Sequence, residues 1–320
     1  MGDKTIRRGS LQFYPRVRAK KILPRANWDV VKQEGKNLLG FIGYKAGMKS
    51  AFVKDDTPHS HTKGKKIIIP VTILECPSIK ILSIRFYKFG KVLVEVLNDN
   101  LDKELKRKIK LPKHTDSKKK LEIIEKKAEF DDLRLVVYSQ VKKTGIKKTP
   151  DISEIGLGGS LSEKLAFAKE HLTKEISIKN VFPSGVVDFR GVTKGKGTQG
   201  TVKRFGTSLK AHKSEKGLRT LGSGGPWHPS RVDFHQPRMG QMGYGTRVVY
   251  SSKIVNVGSI SEKNINSGEG FKHYGNIKTD YIMVYGSIQG PVKRAILISA
   301  PSRESRKQVQ KNYEFIEIRW

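Results

Sequence analysis

Residues 190–249 read RGVTKGKGTQGTVKRFGTSLKAHKSEKGLRTLGSGGPWHPSRVDFHQPRMGQMGYGTRVV and show no sustained apolar period at either the helical or the strand spacing. Twelve of the chain's 31 glycines lie here, with twelve Lys or Arg against two acidic residues, Glu215 and Asp233. A segment of this composition buries too little apolar surface to offset the entropy of ordering it. We therefore expect it to be mobile alone and to take its shape from an anionic partner.

The side chains of residues 190–249 are of the kinds that bind RNA. Spaced lysines and arginines neutralise phosphates, and glycines let the backbone approach another backbone closely. Five planar side chains can stack on bases, namely Phe205, Trp227, Phe234, His235 and Tyr244. A disordered basic linker is the alternative. The prolines on either side of Trp227-His228 count against it, because they stiffen the turn and favour an indole held at a defined tip.

Five runs in this segment carry a resemblance to a known family. They are GVTKGKG at 191–197, GTVKR at 200–204, KGLR at 216–219, WHPSR at 227–231 and RMGQMG at 238–243. Their order and spacing closely resemble those of the universal large-subunit ribosomal protein L3 family. RRGSL at 7–11 and PRVRAK at 15–20 resemble its archaeal and eukaryotic branch, so the chain is identified as similar to the archaeal type.

The resemblance implies a structural constituent of the large ribosomal subunit and not an enzyme. In relatives the long basic loop lies near the peptidyl transferase centre and the path by which aminoacyl-tRNA enters, and the protein joins early in subunit assembly. The family fold is a translation-protein-type β-barrel with an inserted α+β lobe, a long basic loop and an extended basic N-terminal tail. The implied partners are large-subunit ribosomal RNA and neighbouring large-subunit ribosomal proteins.

Residues 1–25 form a second basic segment, with eight Lys or Arg against one acid, Asp3. A solvated tail is the plain interpretation, but interleaved aromatic residues and prolines favour an extension bound to RNA. We assign no catalytic residue and no metal ligand. The candidate ribosomal-RNA contacts are Arg7, Arg8, Arg16, Arg18, Lys20, Lys21, Arg190, Lys194, Lys196, Lys203, Arg204, Lys210, Lys213, Lys216, Arg219, Trp227, His228, Arg231, Arg238 and Arg247.

Composition narrows the function classes further. The formal net charge of +33 over 320 residues disfavours a free compact monomer, because the positive charges repel one another, and it disfavours a free homo-oligomer for the same reason. It favours a polyanionic partner. No apolar run approaches the roughly 20 residues of a membrane-spanning helix. The single cysteine, Cys76, precludes an internal disulfide and suits a small buried hydrophobe. We expect a cytoplasmic protein of the 50S subunit, without a cofactor beyond structural magnesium at RNA contacts.

Strand-like runs dominate outside the two basic segments. We predict strands at 38–44, 67–74, 79–87, 92–97, 133–138, 248–257, 280–286, 292–299 and 313–318, and helices at 101–110 and 160–176. The lysine runs at 118–120 and 142–143 are each typical of solvated faces, but in a chain this basic we expect some of these lysines to meet phosphate. The predicted fold class is mainly β, a closed barrel that carries an α+β insertion. The predicted boundaries are 1–37 for the N-terminal extension, 38–99 for the first barrel strands, 100–180 for the inserted lobe and 181–320 for barrel completion.

An enzyme is the rival class. GKGTQG at 195–200 matches a dinucleotide fingerprint, but we predict no helix after Gly200, and neither Glu215 nor Asp233 lies at the required distance. The paired acids at 55–56 and 131–132 are typical of solvated loops, as are His59 and His61. Because a missing motif does not exclude activity, a free RNA-modifying enzyme built on a β-barrel stays open, as does a non-specific DNA-binding protein.

Overall fold

The computed structural model describes residues 9–31, 35, 37–112, 116–127, 129–224, 228, 230–232 and 234–319. The chain divides into two compact units. The larger unit comprises residues 21–192 and 247–320, and the smaller unit comprises residues 1–20 and 193–246.

Strands form most of the regular structure, which confirms the prediction of a mainly β chain, and they are arranged in several sheets. The strands are β1 (Gly40–Asp55), β2 (Lys66–Glu75), β3 (Ile79–Lys88), β4 (Lys91–Leu97), β5 (Asp132–Ser139), β6 (Ile152–Gly156), β7 (Val186–Val192), β8 (Gly195–Gln199), β9 (Gly240–Gly243), β10 (Thr246–Ser259), β11 (Asp280–Tyr285), β12 (Ala295–Ser299) and β13 (Tyr313–Arg319). The helices are α1 (Ser117–Lys127), α2 (Leu161–His171), α3 (Ile178–Val181), α4 (Thr201–Phe205) and α5 (Arg306–Gln310), with 3₁₀ turns at Leu11–Phe13, Lys103–Arg107 and Val141–Thr144.

A seven-stranded sheet forms the body of the larger unit, in the order β12-β7-β10-β11-β2-β1-β13. The long strand β1 pairs with β2 and β13, and its first residues also pair with β12, Gly40 facing Ser299. Glycine is required where β1 is closely packed. A Cβ on Gly40 would lie 2.6 Å from the ring of Trp28, so the glycines of the predicted strand 38–44 serve close packing.

The core of the larger unit is built from aliphatic and aromatic side chains. Tyr44, Phe41 and Phe189 are among its largest fully buried members. Cys76 is fully buried there, and burial, aided by the charges of Asp280 and Glu75, raises the pKa of its thiol well above the usual value. The prediction of a small buried hydrophobe at position 76 is therefore confirmed.

A second, four-stranded sheet in the larger unit has the order β4-β3-β5-β6. The predicted hairpin is confirmed, because Phe89 and Gly90 join β3 to β4, with left-handed φ values of 51° and 72°. Strands β3 and β4 lie before residue 100 in the chain, and they share this sheet with β5 and β6, which lie after it.

The helices depart from the sequence expectations. Helix α2 begins as expected, with Ser160 N donating to Glu163 Oε2 at 3.0 Å, but it ends at His171, and Ile176 pairs with Ile79. Residues 101–110 form only a 3₁₀ turn, which buries Leu105. The lysine run at 118–120 lies in α1, a helix that we did not predict because we interpreted these lysines only as a run of charge. Within the described residues no helix combines the length and apolarity needed to cross a bilayer.

Candidate nucleic-acid interface

The smaller unit carries a large excess of positive charge. Its sequence holds sixteen Lys or Arg against three acidic residues. Every ion pair that the structure describes lies in the larger unit, so the described cations of the smaller unit have no carboxylate partner. The exposed ones are Arg18, Lys20, Lys194, Lys196, Lys203, Lys213, Lys216, Arg219, Arg231 and Arg238.

A short ladder between β8 and β9 fixes the two ends of the smaller unit's long segment. Gly195 pairs with Gly243, and the Thr193 amide donates to the Gly245 carbonyl oxygen at 3.0 Å. Gly243 has a φ of 71°, and a Cβ there would lie 2.1 Å from the carbonyl oxygen of Lys194. Only glycine fits this position without a backbone shift.

Helix α4 follows Gly200 directly, so the prediction that no helix continues from this glycine is wrong. The helix has five residues and ends at Gly206, whose φ of 66° lies in the left-handed region. A dinucleotide site still does not fit, because Gly195 and Gly197 lie within β8 rather than between a strand and a helix. The GKGTQG run therefore forms a strand and a helix N-terminus within the basic unit.

Arg204 binds the backbone of its own unit. Its Nε donates to the Gln241 carbonyl oxygen at 3.0 Å, and its Nη1 donates to the Arg238 carbonyl oxygen at 2.8 Å. Burial lowers the pKa of the guanidinium, and the nearby charge of Arg16 acts in the same direction. An arginine side chain remains charged in spite of such a shift. Arg204 thus fixes α4 against the β9 region while adding positive charge to it.

The N-terminal segment belongs to the same compact unit as residues 193–246. The Ala19 amide donates to the Tyr244 carbonyl oxygen at 2.8 Å. The Arg16 guanidinium lies 4.4 Å from the ring centroid of Phe205, within the range of a cation–π interaction. Sequence reasoning treated the two basic segments as separate RNA-binding elements. No local sequence pattern indicates that they pack together.

Several predicted site residues lie elsewhere. Arg7, Arg8 and Trp227 are outside the described residues, as are Pro226 and Pro229, while His228 is described and exposed. Lys21, Arg190 and Arg247 belong to the larger unit.

Arg190 differs from the other candidate contacts. Its side chain is 8% exposed and Nη1 donates to Ser299 Oγ, and burial lowers its pKa while the charge of Asp188 opposes that shift. A buried arginine of this kind is a structural part of the sheet, so we leave Arg190 out of the proposed interface.

The described residues give no support for a metal centre, because they contain no group of three or more His, Cys, Asp or Glu placed to hold an ion. The expectation of a solvated loop is wrong for Asp55, which is buried. Its carboxylate accepts hydrogen bonds from the Thr57 amide at 2.9 Å and from the hydroxyls of Ser60 and Thr62 at 2.7 Å and 2.5 Å. Asp55 therefore organises the loop between β1 and β2.

Comparison with known proteins covers both units. A family model described as Ribosomal protein L3 matches residues 3–320. The large ribosomal subunit protein uL3 of Methanocaldococcus jannaschii is 44% identical over 303 residues, which cover 91% of this chain and 90% of that protein. Proteins of the same name from Archaeoglobus fulgidus and Methanosphaera stadtmanae are 42% and 41% identical, over 91% and 95% of this chain and 89% and 93% of their own lengths.

Proposed function

Because the chain belongs to the ribosomal protein L3 family, we propose that its smaller unit binds large-subunit ribosomal RNA. Family membership makes the chain a structural constituent of the large ribosomal subunit in the cytoplasm, of the archaeal type, and not an enzyme. The alternative of a free RNA-modifying enzyme is thereby set aside. What remains to be assigned is which part of the chain meets the RNA.

The observation that carries the proposal is the uncompensated charge of the smaller unit. Sixteen cations stand against three acids, and the described cations form no ion pair within the unit. Phosphates that meet such side chains release their condensed counterions, and this release is the main favourable term in binding nucleic acid without sequence specificity. The larger unit has the same residue types but supplies many of its cations with carboxylates.

We extend the proposal to the tip of the long segment. Trp227 and His228 would form the end that reaches towards the peptidyl transferase centre and the path by which aminoacyl-tRNA enters. Arg7 and Arg8 would meet the same RNA from the N-terminal side. The support is the family resemblance of the runs at 227–231 and 7–11, together with a stiff sequence in which proline flanks Trp227-His228. Binding by both segments would organise the RNA during early assembly.

A barrel is the proposed architecture of the larger unit. The supporting feature is that β12 pairs with β7 at one end of the sheet and with β1 near the other, which makes a ring of six strands. A closed ring removes unpaired strand edges, and in this arrangement only β13 stands outside it. The four-stranded sheet with α1 and α2 would be the inserted α+β lobe. Neighbouring ribosomal proteins, and magnesium ions at some phosphate contacts, complete the proposed surroundings.

Directed hydroxyl-radical probing tests the assignment. Cys76 is buried, so a cysteine introduced at an exposed serine is the one that an iron chelate labels. Ser208→Cys places the label in the smaller unit, and Ser261→Cys is the matched control in the larger unit. After reconstitution into 50S particles, position 208 should cleave ribosomal RNA around the peptidyl transferase centre, and position 261 should not cleave there. Particles in which position 208 cleaves no ribosomal RNA would contradict the proposal.

A further inference from the structure

A cleft of about 660 Å³ lies within the smaller unit. Its walls combine aromatic and cationic side chains with one amide, and those that matter here are Tyr14, Phe205, Phe234, Gln236 and Arg238. The volume falls within the range of about 300–1,000 Å³ that small-molecule sites occupy. It is large enough for a nucleoside, and the surrounding charge favours one that carries phosphate.

The aromatic wall has one open member. Phe205 is covered by the Arg16 guanidinium at 4.4 Å. Phe234 is 71% exposed, and Tyr14 meets it edge-on with ring centroids 5.8 Å apart and planes at 82°. The His235 ring lies against one face of Phe234, with ring centroids 3.6 Å apart, so the opposite face is the one available for stacking. A large exposed phenylalanine beside guanidinium groups is a suitable platform for a base.

Two polar atoms of the cleft residues are left without partners. Tyr14 Oη and Gln236 Oε1 are buried, and neither has a hydrogen-bond partner among the described residues. Buried polar atoms are nearly always paired in folded proteins, so an unpaired one calls for an explanation such as an absent ligand. Both residues line the same cleft, so the two unpaired oxygen atoms belong to the same walls as the open face of Phe234.

We propose that this cleft binds a single unstacked adenine of the RNA. The base stacks on Phe234, the Gln236 amide pairs with its edge, and Arg238 meets an adjoining phosphate. Adenine is favoured because, on its N6/N7 edge, a glutamine amide can accept from the exocyclic amine while donating to N7. A purine with a carbonyl oxygen in place of that amine would face the amide oxygen with a second acceptor. The inference rests on the proposed RNA binding and adds base selectivity to it.

Two RNA octamers that differ in one base test the proposal with the full-length protein. One has a central adenosine among uridines, and the other has inosine at that position, which replaces the exocyclic amine by an oxygen. We expect the adenosine octamer to bind about tenfold more tightly. Gln236→Ala should abolish this difference. Phe234→Ala should weaken both octamers about tenfold, by the same factor at every salt concentration, because stacking displaces no counterions.

The controls separate the cleft from RNA binding in general. Phe89→Ala removes another exposed phenylalanine, in the larger unit, and should change neither affinity. Phe234→Trp keeps a stacking surface and should retain tight binding, which guards against a variant that merely misfolds. Equal affinity for the two octamers in the unaltered protein would overturn the adenine site. If binding remained strongly salt-dependent in that case, the proposed RNA-binding function of the smaller unit would still stand.

Discussion

Lysine and arginine serve different purposes in the two units of this chain. The larger unit has 47 Lys or Arg and 27 acids, and it pairs many of them internally. Arg85, for example, meets Glu95 and Glu154, each at 3.0 Å. In the smaller unit sixteen cations face three acids, and no ion pair is described. The difference teaches that a basic residue indicates an interface only where carboxylates are absent from its surroundings.

The two units also differ in whether they bury hydrophobic side chains. The larger unit contains every buried hydrophobic side chain that the structure describes. The described part of the smaller unit is held by backbone hydrogen bonds, the Arg204 contacts and cation–π pairs. Such interactions give little net stability once conformational entropy is counted. We therefore expect the larger unit to be stable alone and the smaller unit to gain most of its order from RNA.

The largest expected effect on stability lies at a buried carboxylate of the larger unit. Glu75 accepts from the hydroxyl of Tyr274 and from the amides of Lys278 and Thr279, at 2.8 Å and 3.0 Å for the amides. Glu75→Ala leaves these donors unpaired and should lower the free energy of unfolding by about 3 kcal/mol in urea denaturation. Glu314→Ala removes only an exposed ion pair with Lys54, so it should cost less than about 1 kcal/mol. Equal losses would contradict the assignment of Glu75.

A smaller, local effect is expected at the base of the smaller unit. Gly243→Ala forces a Cβ against the Lys194 carbonyl oxygen and should destabilise the β8–β9 ladder by about 1–3 kcal/mol. Amide hydrogen exchange of Tyr244, which donates to that oxygen, should accelerate while global unfolding is unchanged. Gly222→Ala is the matched control, because a Cβ there meets nothing within 4 Å. A global loss of stability in Gly243→Ala would mean that the two units unfold together.

The smallest effect concerns the acid side of the stability curve. Burial would raise the pKa of Asp55, but hydrogen bonds from Thr57, Thr62 and Ser60 outweigh it and hold the folded pKa well below the usual value. The stabilisation is thus present above the unfolded pKa near about 4 and is lost as pH falls towards the folded pKa. Asp55→Asn should reduce the pH slope below pH 4 by up to about 1.4 kcal/mol per pH unit.

Urea denaturation between pH 5 and pH 2 measures that slope. Asp56→Asn, at the neighbouring partly exposed carboxylate, is the control and should leave the slope close to that of the unaltered chain. An unchanged slope in Asp55→Asn would show that its hydrogen bonds do not stabilise the folded state.

Alternation and turn residues were sufficient to predict most strands of the larger unit, but they missed β6 and β7. Strand β7 is buried along its whole length, yet Asp188 and Arg190 interrupt its apolar run. Asp188 is accommodated because it accepts from the amides of Ser251 and Ser302, at 2.8 Å and 2.9 Å. These partners are more than 60 positions away in sequence, so no local pattern reveals them. For this reason the basic segment was taken to start at 190 instead of 193.

The composition of the candidate interface could be predicted from the sequence, but its geometry could not. Charge and glycine content identified residues 190–249, and the family runs gave the ribosome as their context. Two features depended on tertiary contacts. Arg204 turns its guanidinium towards backbone carbonyl oxygens, and residues 9–20 pack with residues 193–246. Neither contact can be predicted from the local spacing of residues in the sequence.

The salt dependence of RNA binding tests most directly whether unpaired cations form the interface. The test variant Lys196→Gln/Lys203→Gln/Lys213→Gln removes three exposed cations of the smaller unit. The control Lys142→Gln/Lys143→Gln/Lys174→Gln removes three from the larger unit, each paired with a glutamate at 2.7, 2.7 and 3.2 Å. Both lower the net charge equally. The slope of log affinity against log salt should fall by about 2–3 in the test variant and hardly change in the control. Equal changes in the two variants would contradict the account.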